Sequence, residues 1–446
     1  MDAPQINGEP LPSAVEMLRR LLRFDTSNPP GHEAACLAWV ARLLRGAGVE
    51  PRLLARDDRR PNLVARLRGR GESQPLLLYA HVDVVPADEP GWQHPPFAGD
   101  EVDGMVWGRG ALDMKAGVAM YLHSFLRLAR SGTPPPGDVV LILASDEETG
   151  SQLGARFLVD EHPEVFDGVR YALSEVGAFT RWVGSRALYP IQVAEKQSCT
   201  VRATVHGASG HGSTIVKGSG PAVLGRLLRR LERRRLPVHV TRPARLMIES
   251  IGDHLGGAQR AVLSGLLRPL ATDRLLDLLG VDGRALDPLL HNTAVSTVLR
   301  GGDRINVVPG IVEVNLDGRV LPGFSPRDLV RELEALAGRL ATFELLHAEP
   351  AAPVDPDLAL MPALSTVLRE LHPAARPHPM LLPGYTDARY LARRGIQTYG
   401  FMPLRLERGL ASTELIHGVD ERVPASAVEF GAEAVWRVVS RGASSA

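Results

Sequence analysis

At 446 residues the chain is longer than one hydrophobic core usually grows, so two domains are expected. Acids and bases balance at 51 each, which excludes the strong net charge that would advertise nucleic acid or an anionic membrane as partner and favours a small substrate. Cys36 and Cys199 are the only cysteines, too few for a disulfide framework or a cysteine zinc site; with no export signal and no apolar run of transmembrane length in the sequence, a cytoplasmic protein is expected.

The apolar spacing of AVEMLRRLLRF behind Ser13 predicts an amphipathic helix capped by that serine. After the loop TSNPPGH, EAACLAWVARLLRGAG reads as a second helix that Gly46 or Gly48 can stop. Asn62 to Leu67 and Leu76 to Ala80 read as strands, the second running into His81-Val82-Asp83. A helix is predicted from Met114 to Ala129, and beyond the turn TPPPG an apolar run from Val139 breaks into Asp146, Glu147 and Glu148 before Thr149-Gly150. Tyr171 to Ser174 is a short strand ending on Glu175. Strands alternating with helices point to an α/β fold, a mixed or largely parallel sheet covered on both faces.

Around Glu195 the texture changes. CTVRATVHG reads as a strand with alternating faces, Pro221 to Arg234 as a basic amphipathic helix, and a Leu-rich helical region follows from about Leu246 to Leu290. TAVSTVLRG and GIVEVNLDGRV read as strands, PRDLVRELEALAGRL as a helix and ATFELLHAE as a last strand. Strand, helix, two strands, helix, strand is the order of a small α+β domain of the ferredoxin-like kind. The expected organisation is therefore a first domain in two parts, 1–196 and 351–446, interrupted by an inserted domain over 197–350, with EPAAPVDPD as the hinge and a helix from Leu358 to Glu370 after it.

Histidines and acids collect at strand ends and turns of the first domain: His81, Asp113, Glu147, Glu148, Glu175 and, near the C-terminus, His417. Each alone reads as a helix cap, a loop residue or a solvated strand end. In an α/β fold, however, groups just past the carboxyl ends of strands share one crevice. Carboxylates crowded there repel, and burying them is expensive unless protons or metal ions neutralise them. A nitrogen and oxygen set without thiolate suits zinc and tolerates cobalt or manganese. If Asp113 bridges, His81 and Glu175 complete one ion and Glu148 and His417 the other. Glu147 is left over; in an extended segment neighbouring side chains point opposite ways, so it can face a bound water as general base. Asp83, two residues past His81, is placed to fix that imidazole.

YAHVDVVPAD, GWQHPPFAGD, VWGRGALDMKAG and ASDEETGS, followed by AEKQ, GASGHGS, DRINVVPG, DGRVLPG, GYTDARY and HGVDERV, closely resemble in this order the signature segments of the M20 metallopeptidase family. The resemblance spans nearly the whole chain. It implies a zinc-peptidase-like mixed sheet flanked by helices with an inserted lid domain, two zinc ions, a homodimer through the lids, and a cis peptide at Asp113-Met114. It supports the ligand pairing above, with Asp113 bridging and Glu147 as base. It also implies that His211 of GHGS reaches a partner's active site to polarise the scissile carbonyl, and that Asn306, Arg319 and the Gly384 segment contact substrate, Arg319 through a carboxylate. By residue pattern alone Asn306 reads as a turn residue and Arg319 as a strand partner of Asp317.

Four departures bear on substrate. Ser174-Glu175-Val176-Gly177 stands for the family's Asn-Glu-Gly-Gly and keeps Glu, as the acylases, desuccinylases and carboxypeptidases do. Gln197 replaces a glycine after Glu195-Lys196, and Gly384-Tyr385-Thr386 replaces Gly-Gly-Thr. The inserted domain is enlarged between about Arg234 and His291. The expected activity is hydrolysis of the amide bond of a peptide or N-acyl amino acid, carboxypeptidase- or aminoacylase-like. A biosynthetic deacylase of the desuccinylase or acetylornithine type is the alternative within the class, and a catalytically silent binding relative the alternative outside it.

Overall fold

The structure, a computed structural model, describes residues 5–442 apart from 7–8, 89, 352 and 411. The chain divides into two units, one built from 1–193, 357–380 and 386–446 and the other from 194–356 with 381–385.

Two uninterrupted apolar strands, Leu76–His81 and Val139–Ala144, have every residue buried and pair in parallel in the middle of the first unit's sheet. Strands of this kind need cover on both faces, which places them centrally. Among the described residues the order from one edge is Arg52–Leu54, Asn62–Leu67, Val139–Ala144, Leu76–His81, Tyr171–Ser174, Gln397–Gly400 and Arg186–Glu195. Asn62–Leu67 runs antiparallel to Val139–Ala144, whereas Tyr171–Ser174 is parallel to both its neighbours, so the sheet is mixed. Alternation sorts the two cores. Leu76, Leu78, Leu141 and Leu143 pack with residues of the helices Ala14–Leu22, Lys115–Ala129 and Ala425–Arg441. Leu77, Tyr79, Val140 and Ile142 pack with Phe157 and Leu158 of Ala155–Glu161 on the other face.

Local signals account for the helix ends. Ser13 caps Ala14–Leu22 by accepting from Glu16 N, with the Glu16 side chain reaching back to complete a capping box. The helix expected from Leu358 begins instead at Met361, with Pro362 in the first turn where a missing N–H costs nothing.

In the second unit Thr293–Arg300, Ile311–Val320, Gln197–His206 and Thr342–Ala348 form an antiparallel sheet in that order. Ile311–Val320 and Gln197–His206 alternate buried and part-exposed residues, and their buried face packs with residues of the helices Gly220–Arg233 and Pro326–Ala337. The element order is the ferredoxin-like one expected. Four helices, Arg242–Leu255, Gly257–Leu266, Pro269–Leu279 and Val281–Leu286, enlarge it between the first helix and the second strand. Lys196 anchors this enlargement: its buried Nζ donates to the carbonyls of Pro288 and His291 at 3.0 and 2.9 Å, and burial pushes its ammonium down to about 7.

Leu143, fully buried one residue before the end of the Val139–Ala144 strand, tests the central packing. Leu143→Ala should lower the unfolding free energy by ~2–5 kcal/mol, read as a shift of the urea midpoint to lower concentration.

Candidate metal centre

Three strand ends, the start of one helix and one loop build the site. His81 is the last residue of its strand, Glu175 follows Tyr171–Ser174, and Glu147 and Glu148 lie three and four residues past Ala144. Asp113 immediately precedes the N-cap of Lys115–Ala129, and its peptide bond to Met114 is cis. His417 comes from the loop before the short strand Arg422–Pro424. His81, Asp113 and Glu175 each offer a ligand atom within 4.8 Å of the others, and so do Asp113, Glu148 and His417. The two oxygens of Asp113 face different imidazoles: Oδ1 is 3.2 Å from His81 Nε2, and Oδ2 is 3.3 Å from His417 Nε2. Glu175 Oε2 lies 3.6 Å from His81 Nε2 and Glu148 Oε1 3.4 Å from His417 Nε2. One half is closed and the other open, since the side chain of His81 is 1% exposed and that of His417 is 49% exposed.

The electrostatics are those of an acid-rich pocket short of positive charge. Burial first, then the negative charge of Glu175, raise the Glu147 carboxyl well above its usual range. Burial lifts Glu175 to about 7 against the opposing pull of His81. Asp113 and Glu148 push His417 up to about 10, and His81 is raised despite its burial by hydrogen bonds to Asp113, Asp83 and Glu175. Left to themselves, then, the residues bind protons to offset the repulsion. Glu148 Oε1 is buried without a hydrogen-bond partner. An orphaned anionic oxygen beside imidazole nitrogens is a donor set that fits divalent cations, and no cysteine competes.

The geometry corrects one expectation about how the site is held and details another. Glu147–Thr149 is not extended but a 3₁₀ turn, entered through Asp146 at φ 72° and left through Gly150 at φ 103°. The tight turn, rather than strand alternation, separates Glu147 from Glu148. Asp146 locks it: Oδ2 accepts from Leu153 N at 2.9 Å, and Oδ1 accepts from the Thr149 hydroxyl at 2.6 Å and pairs with Arg60 at 3.1 Å. Asp83 holds His81 mainly through its backbone. Its main-chain oxygen, 3.0 Å away, orients His81 Nδ1, while the carboxylate stands at 3.5 Å. A carbonyl can only accept, so Nδ1 carries a proton, and Nε2 is the ring nitrogen that faces Asp113 and Glu175. The Asp83 carboxylate instead accepts from Glu147 N and Glu148 N, both at 3.1 Å, and from Asn28 Nδ2 at 2.8 Å.

Asn28 and Asp387 carry weight that sequence reasoning did not assign. Asn28 Nδ2 also donates to the Thr149 hydroxyl at 2.9 Å. Buried Asp387 accepts from Tyr79 Oη at 2.6 Å and from the Ser151 hydroxyl, holding the far side of the same turn. Both lie in segments already singled out, TSNPPGH and GYTDARY; the available signal was a polar residue in a motif with no chemistry of its own to do.

The other four candidates belong to the second unit. Gly210–His211 pairs with Val307–Val308, and Gly212 N donates to Asn306 O at 2.8 Å, so exposed His211 and exposed Asn306 share one ribbon. His211 Nδ1 is 2.7 Å from Ser213 Oγ. Arg319 makes a two-point ion pair with Asp317, Nε and Nη2 each at 2.9 Å, and its guanidinium stacks 4.6 Å from the Tyr385 ring centroid. Gly384 contributes its carbonyl, which accepts from Lys196 N at 3.2 Å.

Imidazoles and crowded carboxylates at the strand ends of a mixed sheet fit a metal-dependent enzyme. Residues 77–441 match the model of peptidase family M20/M25/M40, and the chain belongs to that family. It is thereby a metal-dependent amidohydrolase of the metallopeptidase type. The chain is 28% identical to a "probable carboxypeptidase S-like 2" of Dictyostelium discoideum over 81% of its length and 70% of the relative's. It is 27% identical to the "N-fatty-acyl-amino acid synthase/hydrolase PM20D1" of Bos taurus, over 83% and 74% respectively. The solved structure of an M20 family metallo-carboxypeptidase, Sso-CP2 of Sulfolobus solfataricus, shares the fold with a TM-score of 0.65 at 16% identity, covering 96% of this chain and 98% of that one.

Asp83→Asn substitutes an amide for a carboxylate that takes three N–H donors. At least one donor is then left facing another, and the melting temperature of the metal-free protein should fall in step with a loss of ~1–3 kcal/mol.

Proposed function

We propose that the chain is a dinuclear-zinc hydrolase that cleaves the amide bond of a peptide or N-acyl amino acid. His81 and Glu175 hold one ion, Glu148 and His417 the other, and Asp113 bridges. The observation that carries this reading is the split of Asp113, whose Oδ1 and Oδ2 face two separate imidazole and carboxylate pairs at 3.2 and 3.3 Å. Bound there, such ions supply Lewis acidity to the scissile carbonyl and lower the pKa of an attacking water. Glu147 is the base. Its carboxylate takes the proton of that water and passes it to the leaving nitrogen, and its raised affinity for protons suits it to hold one between the two events.

His211 polarises the carbonyl from a neighbouring subunit, Asn306 and the Gly384 segment line the substrate site, and Arg319 meets the substrate carboxylate. Exposure of His211 and Asn306 on one ribbon supports their working together. A homodimer through the inserted unit is supported by the edge strand Thr293–Arg300, which presents Val295 and Leu299 to solvent. Two buried, unpaired cysteines are in keeping with the cytoplasm. The names carried by the relatives, carboxypeptidase S-like and N-fatty-acyl-amino acid synthase/hydrolase, support the substrate class.

Purified protein should carry about two zinc ions per chain, and a chelator should abolish hydrolysis in a screen of N-acyl amino acids against dipeptides until zinc or cobalt is restored; a protein without affinity for zinc would sink the reading. Glu147→Ala should lower kcat by ~10²–10⁴-fold with the zinc content unchanged, and activity near that of the wild type would refute the assignment of the base.

A further inference from the structure

Asp113 and His417 lie far apart in the chain, and neither lies within a regular element. The His417 side chain is half exposed, so packing does not set its position, and its backbone is in the left-handed region at φ 62°. A non-glycine residue stays there only where its surroundings over-determine it. What surrounds it is a buried ion pair. Arg109 Nη2 donates to the carbonyl of His417 at 3.1 Å, and Nη1 donates to the carbonyl of Gly418 at 3.0 Å. Nη1 also binds Glu421 Oε2 at 2.7 Å, and the side chains are 2% and 0% exposed.

Glu421 then turns to the other loop. Its Oε2 accepts from Gly110 N at 3.0 Å, and its Oε1 accepts from Leu112 N at 2.7 Å and from Asp113 N itself at 3.1 Å. Gly108 N returns to the main-chain oxygen of Glu421 at 2.9 Å, and the strand Arg422–Pro424 pairs with Met105–Trp107 immediately beside it. A third segment closes over the pair: the Trp92 ring stacks 5.3 Å from the Arg109 guanidinium, and Gln93 binds the Asp420 carboxylate through N and Nε2 at 2.7 and 2.8 Å. One carboxylate thus gathers the amides of the Asp113 loop, and the guanidinium it anchors gathers the carbonyls of the His417 loop.

We infer that Glu421 and Arg109 are positioning residues for the open half of the metal centre, fixing the backbone of Asp113 against that of His417 so that their side chains keep a set separation. The inference rests on the dinuclear reading above. Neither residue is among the proposed ligands. The geometry distinguishes their effects: the Arg109 guanidinium reaches main-chain atoms only on the His417 side, whereas Glu421 reaches Asp113, whose carboxylate serves both halves. Lysine cannot replace the guanidinium, because one ammonium cannot span two carbonyls and a carboxylate with the same fork. Glutamine at 421 would bring its own N–H₂ among four donors.

The test is a cobalt(II) titration of the full-length apoprotein, followed by competition with a chromophoric chelator and by the visible spectrum, with circular dichroism as the check on fold. For Arg109→Lys the expected result is one cobalt site weakened ~10–100-fold with the other unchanged, an altered cobalt spectrum, and a fall in kcat with little change in KM. For Glu421→Gln both sites should weaken. Folded variants that take up two cobalt ions with wild-type affinity and spectrum would overturn the inference. Loss of fold in both variants would overturn it too, by making the pair a requirement of the fold rather than of the site. Wild-type protein that takes up no cobalt would instead refute the dinuclear reading, and this inference with it.

Discussion

Like charges gathered in a poorly hydrated crevice are the constraint on which the rest of the first unit depends. Asp113, Glu147, Glu148 and Glu175 stand around two imidazoles at the ends of buried strands, and burial raises the proton affinity of Glu147, Glu148 and Glu175. Such an arrangement does not form for stability. A core of similar size could be closed with apolar residues at lower cost, since buried carboxylates without counter-charge are among the least favourable groups a fold can hold. Its presence at the carboxyl edge of the sheet, where an α/β fold offers a crevice, therefore speaks for cations and for chemistry.

The acids of this region fall into two kinds, divided by what neutralises them. Asp83, Asp146, Asp387 and Glu421 are buried and satisfied by the protein itself: backbone amides, hydroxyls, Asn28, Arg60 and Arg109. They make the frame, and each fixes a turn that carries a member of the other kind. Asp83 and Asp146 hold the Glu147–Thr149 turn, Asp387 its far side through Ser151, and Glu421 the Asp113 loop. Asp113, Glu148 and Glu175 instead face imidazoles, and Glu148 Oε1, 3.4 Å from His417 Nε2, completes no hydrogen bond. Counting donors around each carboxylate separates frame from centre without reference to any relative.

The same division explains what could be read from the sequence. The central strands were legible because their apolar runs are continuous, and the second unit because its strands alternate and follow the ferredoxin-like order. The grouping of His81, Asp113, Glu148, Glu175 and His417 was legible as residues at strand ends and turns that carry the right chemistry. The frame was not, because its bonds join loops distant in the chain and involve main-chain atoms that a sequence does not distinguish. Asp83 illustrates this: its proximity to His81 was evident, but its carboxylate goes to the amides of Glu147 and Glu148 and its carbonyl to the imidazole. Asp146 likewise hides a left-handed residue behind an apolar run, so the extended geometry expected of Glu147 and Glu148 gives way to a turn.

The second unit adds a constraint on recognition. The Nε and Nη2 atoms of Arg319 are engaged by Asp317, and its face is covered by Tyr385, where the family's usual residue is glycine. An arginine with one edge paired and one face stacked is neutralised in part and held still, so its remaining edge offers directed hydrogen bonds with less net attraction than an unpaired guanidinium. The carboxylate recognition proposed for Arg319 therefore depends on orientation more than on charge. Tyr385 fixes that orientation while placing an aromatic ring beside it, and a ring there favours apolar groups adjoining the carboxylate. The departure from the family pattern at this one position thus reshapes the surroundings of Arg319 and leaves the proposed metal ligands untouched.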